Sequence, residues 1–188
     1  VSAQDAEIEE VVVKGKVLQS DQVNALKTPT PIINVPQSLT IVTDEEMLEK
    51  GMRSIGDIIR YTPGVNTSQG EGHRDAVVFR GVRSTADFFQ DGARDDVQYY
   101  RSLYNVEQVE ILRGPNALLF GRGGTGGALN RVTKKAMVGD DFRTVNVGMD
   151  SFGAFDVAAD VNMDMGDTMA LRINVHSDTL ENHRDYYE

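Results

Sequence analysis

The chain has 188 residues, 40% of them hydrophobic, a formal net charge of −10 and no cysteine. That size and apolar content allow one domain with its own core and a second piece too small to fold alone. The charge argues against a nucleic-acid partner, and the lack of cysteine removes disulfides, thiolate metal sites and cysteine nucleophiles. No run approaches the roughly 18 apolar residues of a membrane helix, a test that β-barrel segments escape.

Val1-Ser2-Ala3 carries the small residues that a signal-peptidase cut after Ala3 requires, which would leave Gln4 as the mature start. From Asp5 to Lys27 only Ile8 and Val11-Val12-Val13 interrupt a polar background. Two readings stand there: a disordered arm, or a short β-branched run that adds as a strand to a partner's sheet edge. Pro29, Pro31 and Pro36 then hold the chain extended up to Ser38-Leu39-Thr40-Ile41-Val42, which alternates as a strand.

Thr43 and Glu46 form a capping box for a helix through Met47, Leu48 and Glu49 that Gly51 ends. Ser54 and Asp57 open a second helix, whose Ile55, Ile58 and Ile59 make an apolar stripe for the core before Thr62-Pro63-Gly64 stops it. Asn66 to Asp75 is a polar loop containing His73 and Arg74, and a lone histidine predicts no metal site. Val77-Val78-Phe79-Arg80-Gly81 reads as a strand, Arg83 to Asp87 as a second loop, and Phe88-Phe89-Gln90 as a strand running into an Asp91-Gly92 turn. A third loop, Arg94 to Tyr104, holds Tyr99, Tyr100, Arg101 and Tyr104. Its paired carboxylates Asp95-Asp96 have no base or nucleophile partner in the pattern, so no catalytic residue and no enzyme activity is expected.

In Asn105 to Arg113, Val109 and Ile111 alternate with Glu110 and Leu112, the period of a strand with one buried face. Gly114-Pro115 ends it, and Pro115 suits the first position of a one-turn helix. Gly121, Gly123 and Gly126 match G-x-G-x-x-G, but a dinucleotide fingerprint follows a strand and opens a helix, whereas this one leads into the strand-like Ala128 to Thr133. A turn that lets two backbones approach closely is the better reading. Arg80 and Arg113 both stand at a strand end before glycine, a place for an exposed cation or for one held by a carboxylate.

After Lys134-Lys135 the pattern changes. Val145, Val147 and Met149, then Phe155, Val157, Ala159, Val161, Met163 and Met165, then Met169, Leu171, Ile173 and Val175 alternate with mostly polar residues, separated by turns at Ser151-Phe152-Gly153 and Gly166-Asp167. Such segments of about ten residues fit transmembrane β-strands with a wet lumen, and equally an antiparallel meander with one wet face. Three strands cannot close a barrel, which needs about eight.

Val109-Glu110-Ile111-Leu112-Arg113-Gly114-Pro115, Leu119-Phe120-Gly121 and Gly126-Gly127-Ala128-Leu129-Asn130 together resemble the plug signature of TonB-dependent outer-membrane receptors. The run Phe120 to Gly127 is most similar to the ferric-siderophore branch, in particular receptors for iron–catecholate complexes. The resemblance implies an α+β fold: a plug with a small mixed sheet and short helices, followed by antiparallel strands of an incomplete barrel. It divides the chain into an arm (1–27), a plug (28–136) and first barrel strands (137–188). It makes Glu10, Val11, Val12 and Val13 the TonB box, captured by TonB acting with ExbB and ExbD. His73, Arg74, Arg83, Tyr99, Tyr100 and Arg101 become siderophore-facing, Arg80 and Arg113 become the lock between plug and barrel, and lipid covers the barrel. The ferric siderophore is then the transported ligand, with no cofactor. The rival reading is an envelope module that binds a protein partner through an exposed sheet edge.

Overall fold

The computed structural model describes residues 22–23, 30–31, 34, 38–68, 74–84, 87–114 and 126–179. In chain order they form β1 (Gln22–Val23), β2 (Thr30–Pro31), β3 (Ser38–Thr43), α1 (Asp44–Glu49), α2 (Ile55–Arg60), β4 (Val65–Thr67), β5 (Val77–Phe79), β6 (Val82–Ser84), β7 (Phe88–Gln90), β8 (Ala93–Arg94), β9 (Val106–Arg113), β10 (Gly127–Thr133), β11 (Phe142–Met149), β12 (Phe155–Asp164) and β13 (Ala170–Thr179). The TonB box, His73, the helix proposed at Pro115 and the glycines from 121 to 124 lie outside the described residues.

Local chemistry explains the helices. Thr43 Oγ1 accepts the Glu46 N–H at the start of α1, and Gly51, at φ 61°, ends the turn while the Met52 N–H reaches Met47 O. In α2 the capping box is complete: Ser54 accepts from the Asp57 N–H, and Asp57 accepts from the Ser54 N–H. Ile55, Ile58 and Ile59 are buried as the stripe predicts.

The main sheet has five strands in the order β3-β9-β10-β7-β8 and is mixed, since β10 runs parallel to β7 and antiparallel to β9. One face supplies Val42, Val109, Ile111, Leu129 and Phe88 to a core shared with the helices and with Val77 and Phe79. The expectation of a single buried face on β9 was wrong. Glu110 and Leu112 on the other side are also fully buried, because β9 lies between β3 and β10 and its carboxylate is served by amides instead of water. Gln108 Nε2 donates to Glu110 Oε1 at 2.8 Å and Asn130 Nδ2 to Oε2 at 3.0 Å.

Two tight hairpins bracket the core. Asp91 and Gly92 join β7 to β8 with both residues at positive φ, as the Asp-Gly pair predicts. Arg80 and Gly81, also both at positive φ, join β5 to β6, a hairpin the sequence reading took for a strand and a loop. The strand β4, paired with β5, likewise replaces the beginning of the expected first loop. Gly127 allows the close approach anticipated for the glycine run: a Cβ there would lie 2.5 Å from Phe79 Cδ1 and 2.6 Å from Leu112 O.

The strands β11, β12 and β13 form a separate antiparallel sheet. Its alternation is turned inside out relative to the first sheet. Val145, Val147, Met149, Leu171, Ile173 and Val175 face solvent, at 43% to 76% exposure, whereas Asp160 and Asn162 are buried.

Candidate functional site

The polar face of the strand sheet meets the main body through charges. Arg172 on β13 donates to Asp160 through Nε at 2.8 Å and through Nη2 at 2.7 Å, and its Nη1 reaches Glu107 at 3.2 Å and the Lys135 carbonyl at 3.0 Å. Lys134 pairs with Asp160 at 3.0 Å, and Arg53, between the two helices, pairs with Asp156 at 2.8 Å. Asn162 donates to Met137 O and Asp140 O and accepts the Met137 N–H. Tyr104 stacks on His176, with centroids 5.1 Å apart. A sheet that turns carboxylates, amides and guanidinium toward the body and aliphatic side chains outward is built for an apolar surround.

Above the main sheet, the segment 94–104 forms a second polar centre. Asp95 Oδ2 accepts from Tyr99 Oη at 2.7 Å, from Arg101 Nε at 3.2 Å and from Arg131 Nη2 at 2.5 Å. Arg131 Nη2 also reaches Tyr99 Oη and Gln90 Oε1. The Asp75 N–H donates to Tyr99 O, and Asp75 Oδ2 accepts the Arg101 N–H at 2.8 Å, so the end of the first loop is tied to the third. Burial pushes the Asp75 carboxyl above its usual range, and the Arg101 N–H works against that rise.

A family model described as the TonB-dependent receptor plug domain matches residues 31–128. The chain belongs to this family. It is similar to the probable TonB-dependent receptor BfrD of Bordetella pertussis, 31% identical over 160 residues that make up 84% of this chain and 21% of that protein. Among solved structures, the siderophore receptor PiuA of Acinetobacter baumannii aligns with a TM-score of 0.76 at 27% identity, over 86% of this chain and 23% of that one. The open form of the ferric-catecholate import receptor Fiu from Escherichia coli aligns with a TM-score of 0.71 at 27% identity, over 79% of this chain and 22% of that one. The chain thus spans about a fifth of the length of the curated relatives it matches.

The plug brings some predicted residues together and separates others. Arg74 donates to Gln98, and Tyr99 and Tyr100 stand exposed on the same third loop. Arg83 is exposed on β6, opposite Val78. Arg101 departs from expectation: it is 1% exposed and its guanidinium is engaged inside the loop, so it presents no cation to a ligand. The Tyr99 phenol is similarly occupied by Asp95 and Arg131, leaving its ring as the available surface. Burial pushes the Tyr100 phenol above its usual range, and the neighbouring Ser54 side chain works against that rise.

Of the two arginines before glycine, Arg80 is exposed in its hairpin. Arg113 donates to Pro63 O at 2.8 Å and Thr40 Oγ1 at 2.9 Å, which ties the end of α2 to β3 within the plug. Sequence reasoning missed Asp75, Arg131, Glu107, Asp160 and Arg172. The available signal was a charged residue inside a run otherwise patterned for burial, as with Arg131 in Ala128 to Val132.

Proposed function

We propose that the chain is the plug and the first barrel strands of an outer-membrane receptor that binds a ferric siderophore and gates its energy-dependent uptake. Residues 1–27 are the arm, 28–136 the plug and 137–188 the barrel strands. The observation that carries this reading is the inverted sheet: its apolar side chains face outward while its Asp156, Asp160 and Arg172 pair with Arg53, Lys134 and Glu107 of the plug. Lipid is the surround that makes such a face stable, and the plug then sits on the lumen side, toward the periplasm. This face also disfavours the rival envelope module, whose exposed side would be polar.

The ligand class rests on relatives named as siderophore receptors, among them a catecholate receptor. Ferric catecholates are anionic and aromatic, so Arg74, Arg83 and the rings of Tyr99 and Tyr100 offer suitable contacts, and His73 is assigned to the same ligand-facing set. Arg80 and Arg113 lock the plug to carboxylates of the barrel wall. The TonB box at Glu10 to Val13 is captured by TonB, which ExbB and ExbD energise. No cofactor is needed, because transport involves no bond making.

Iron-limited growth of cells whose uptake depends on this receptor, with siderophores supplied singly, tests the reading. Growth is expected with a catecholate complex, and none with any ferric siderophore would overturn it. Proline lacks the N–H that strand addition requires, so Val12→Pro should abolish calorimetric binding to the TonB C-terminal domain with the fold intact. Unchanged affinity would remove the TonB-box assignment.

A further inference from the structure

Arg101 is the most completely buried cation among the described residues of the plug, and siderophore contact does not account for it. Segment 95–98 has no regular structure, so its carbonyls lack ladder partners. Arg101 supplies them from below. Its Nη2 donates to Asp95 O at 3.1 Å and Val97 O at 2.6 Å, and its Nη1 to Tyr99 O at 3.2 Å. Its Nε donates to the Asp95 carboxylate at 3.2 Å, and its own N–H to Asp75 Oδ2 at 2.8 Å. The guanidinium lies 3.9 Å from the Phe88 ring centroid and 4.4 Å from that of Tyr99.

Five donors in one rigid plane are a property of arginine alone; lysine offers three from a single point. The loop's outer side is what remains exposed: Val97 at 65%, Tyr99 at 38% and Tyr100 at 41%. Beside them Gln98 holds Arg74. The Asp95 carboxylate carries the same fixation on to Arg131 of β10, so the loop is anchored to the sheet and not merely folded on itself.

We infer that Arg101 is a positioning residue: it holds loop 95–100 in the one conformation that offers the Tyr99 and Tyr100 rings to the ligand. The inference rests on the siderophore reading for its ligand and on hydrogen bonds and ring contacts for its mechanism. A loop ordered in advance spares the ligand the entropy of ordering it.

A double-mutant cycle in the complete receptor separates positioning from general support of the fold. With iron(III) tris-catecholate as probe, Tyr99→Ala and Arg101→Met should each weaken binding about tenfold, and together little more than either alone, because Tyr99 is no longer presented once Arg101 is gone. Arg101→Lys should not rescue. Hydrogen exchange supplies a readout that needs no ligand: in Arg101→Met the amides of Asp75, Asp95 and Arg101 should exchange faster, while those of α2 and β11 to β13 keep their protection.

Additive losses, full affinity in Arg101→Met beside a loss in Tyr99→Ala, or unchanged exchange at those three amides would each overturn the inference and leave the siderophore reading intact. Rescue by lysine would also overturn it, since charge alone would then suffice. If Tyr99→Ala binds the probe like the parent, the loop does not meet ligand and the inference fails. If the parent receptor takes up no ferric siderophore, the reading itself fails, and the inference falls with it.

Discussion

The plug sheet and the strand sheet use the same two-residue period with opposite results. In β9 and β10, Val109, Ile111 and Leu129 point into a core roofed by α1 and α2. In β12 and β13 the aliphatic side chains point away from the body, and Asp160, Asn162 and Arg172 point toward it. The difference is one of surroundings. A strand's alternation says that its two faces meet different media, and it does not say which medium is outside. For the plug the inner medium is its own packed core; for the second sheet the charged interface with the plug is the inner one.

The contrast can be sharpened by substitutions that should behave oppositely in the two regions. Phe79→Ala, at a fully buried position beneath Gly127, should cost about 3–5 kcal/mol of plug stability. Denaturant melts of the receptor in detergent measure it, and a loss under about 1 kcal/mol would mean that this core is loose. On the outer face, Ile173→Lys should cost about 2–4 kcal/mol in a bilayer if it lies near the midplane. In plain buffer the same change should reduce self-association of the 188-residue chain, because it removes part of an exposed apolar face. Light scattering decides that arm; an unchanged association state would show that this face is not what drives contact.

The smallest effect concerns pH and only the plug. Asp75 has its carboxyl pushed up by burial, so it favours folding most fully below the ordinary carboxylate value of about 3.9 and loses that contribution as pH rises through the raised value. Plug melts should therefore weaken across that acidic window, and Asp75→Asn should flatten the slope. An unaltered slope in the variant would assign the titration to another group.

Much of the fold could be read directly from the residues. Ser54 with Asp57, Gly51, the Ile55, Ile58 and Ile59 stripe, the Asp91-Gly92 turn and the three long strands all appear where local chemistry puts them. The Arg80-Gly81 hairpin escaped notice, because arginine is not a residue that advertises positive φ and only pairing of Phe79 with Val82 reveals it. At the candidate site, the sequence grouped three neighbours whose surroundings turn out to differ. Tyr99, Tyr100 and Arg101 are adjacent, yet two present rings and the third is sealed beneath them.

By itself, then, the sequence determined most of the elements, the α2 cap, the Asp91-Gly92 turn and the family signature, all of which depend on neighbours a few positions apart. Tertiary structure alone decided that both faces of β9 are buried, that Arg101 binds its own loop, and that Arg172, Asp160, Glu107 and Lys134 join two sheets. The physical reason is the range of the interactions involved. A cap or a hairpin turn is settled by hydrogen bonds within a few residues, whereas the Arg172 contact with Glu107 closes a span of 65 residues. Which charge meets which is set only once the strands have been brought together.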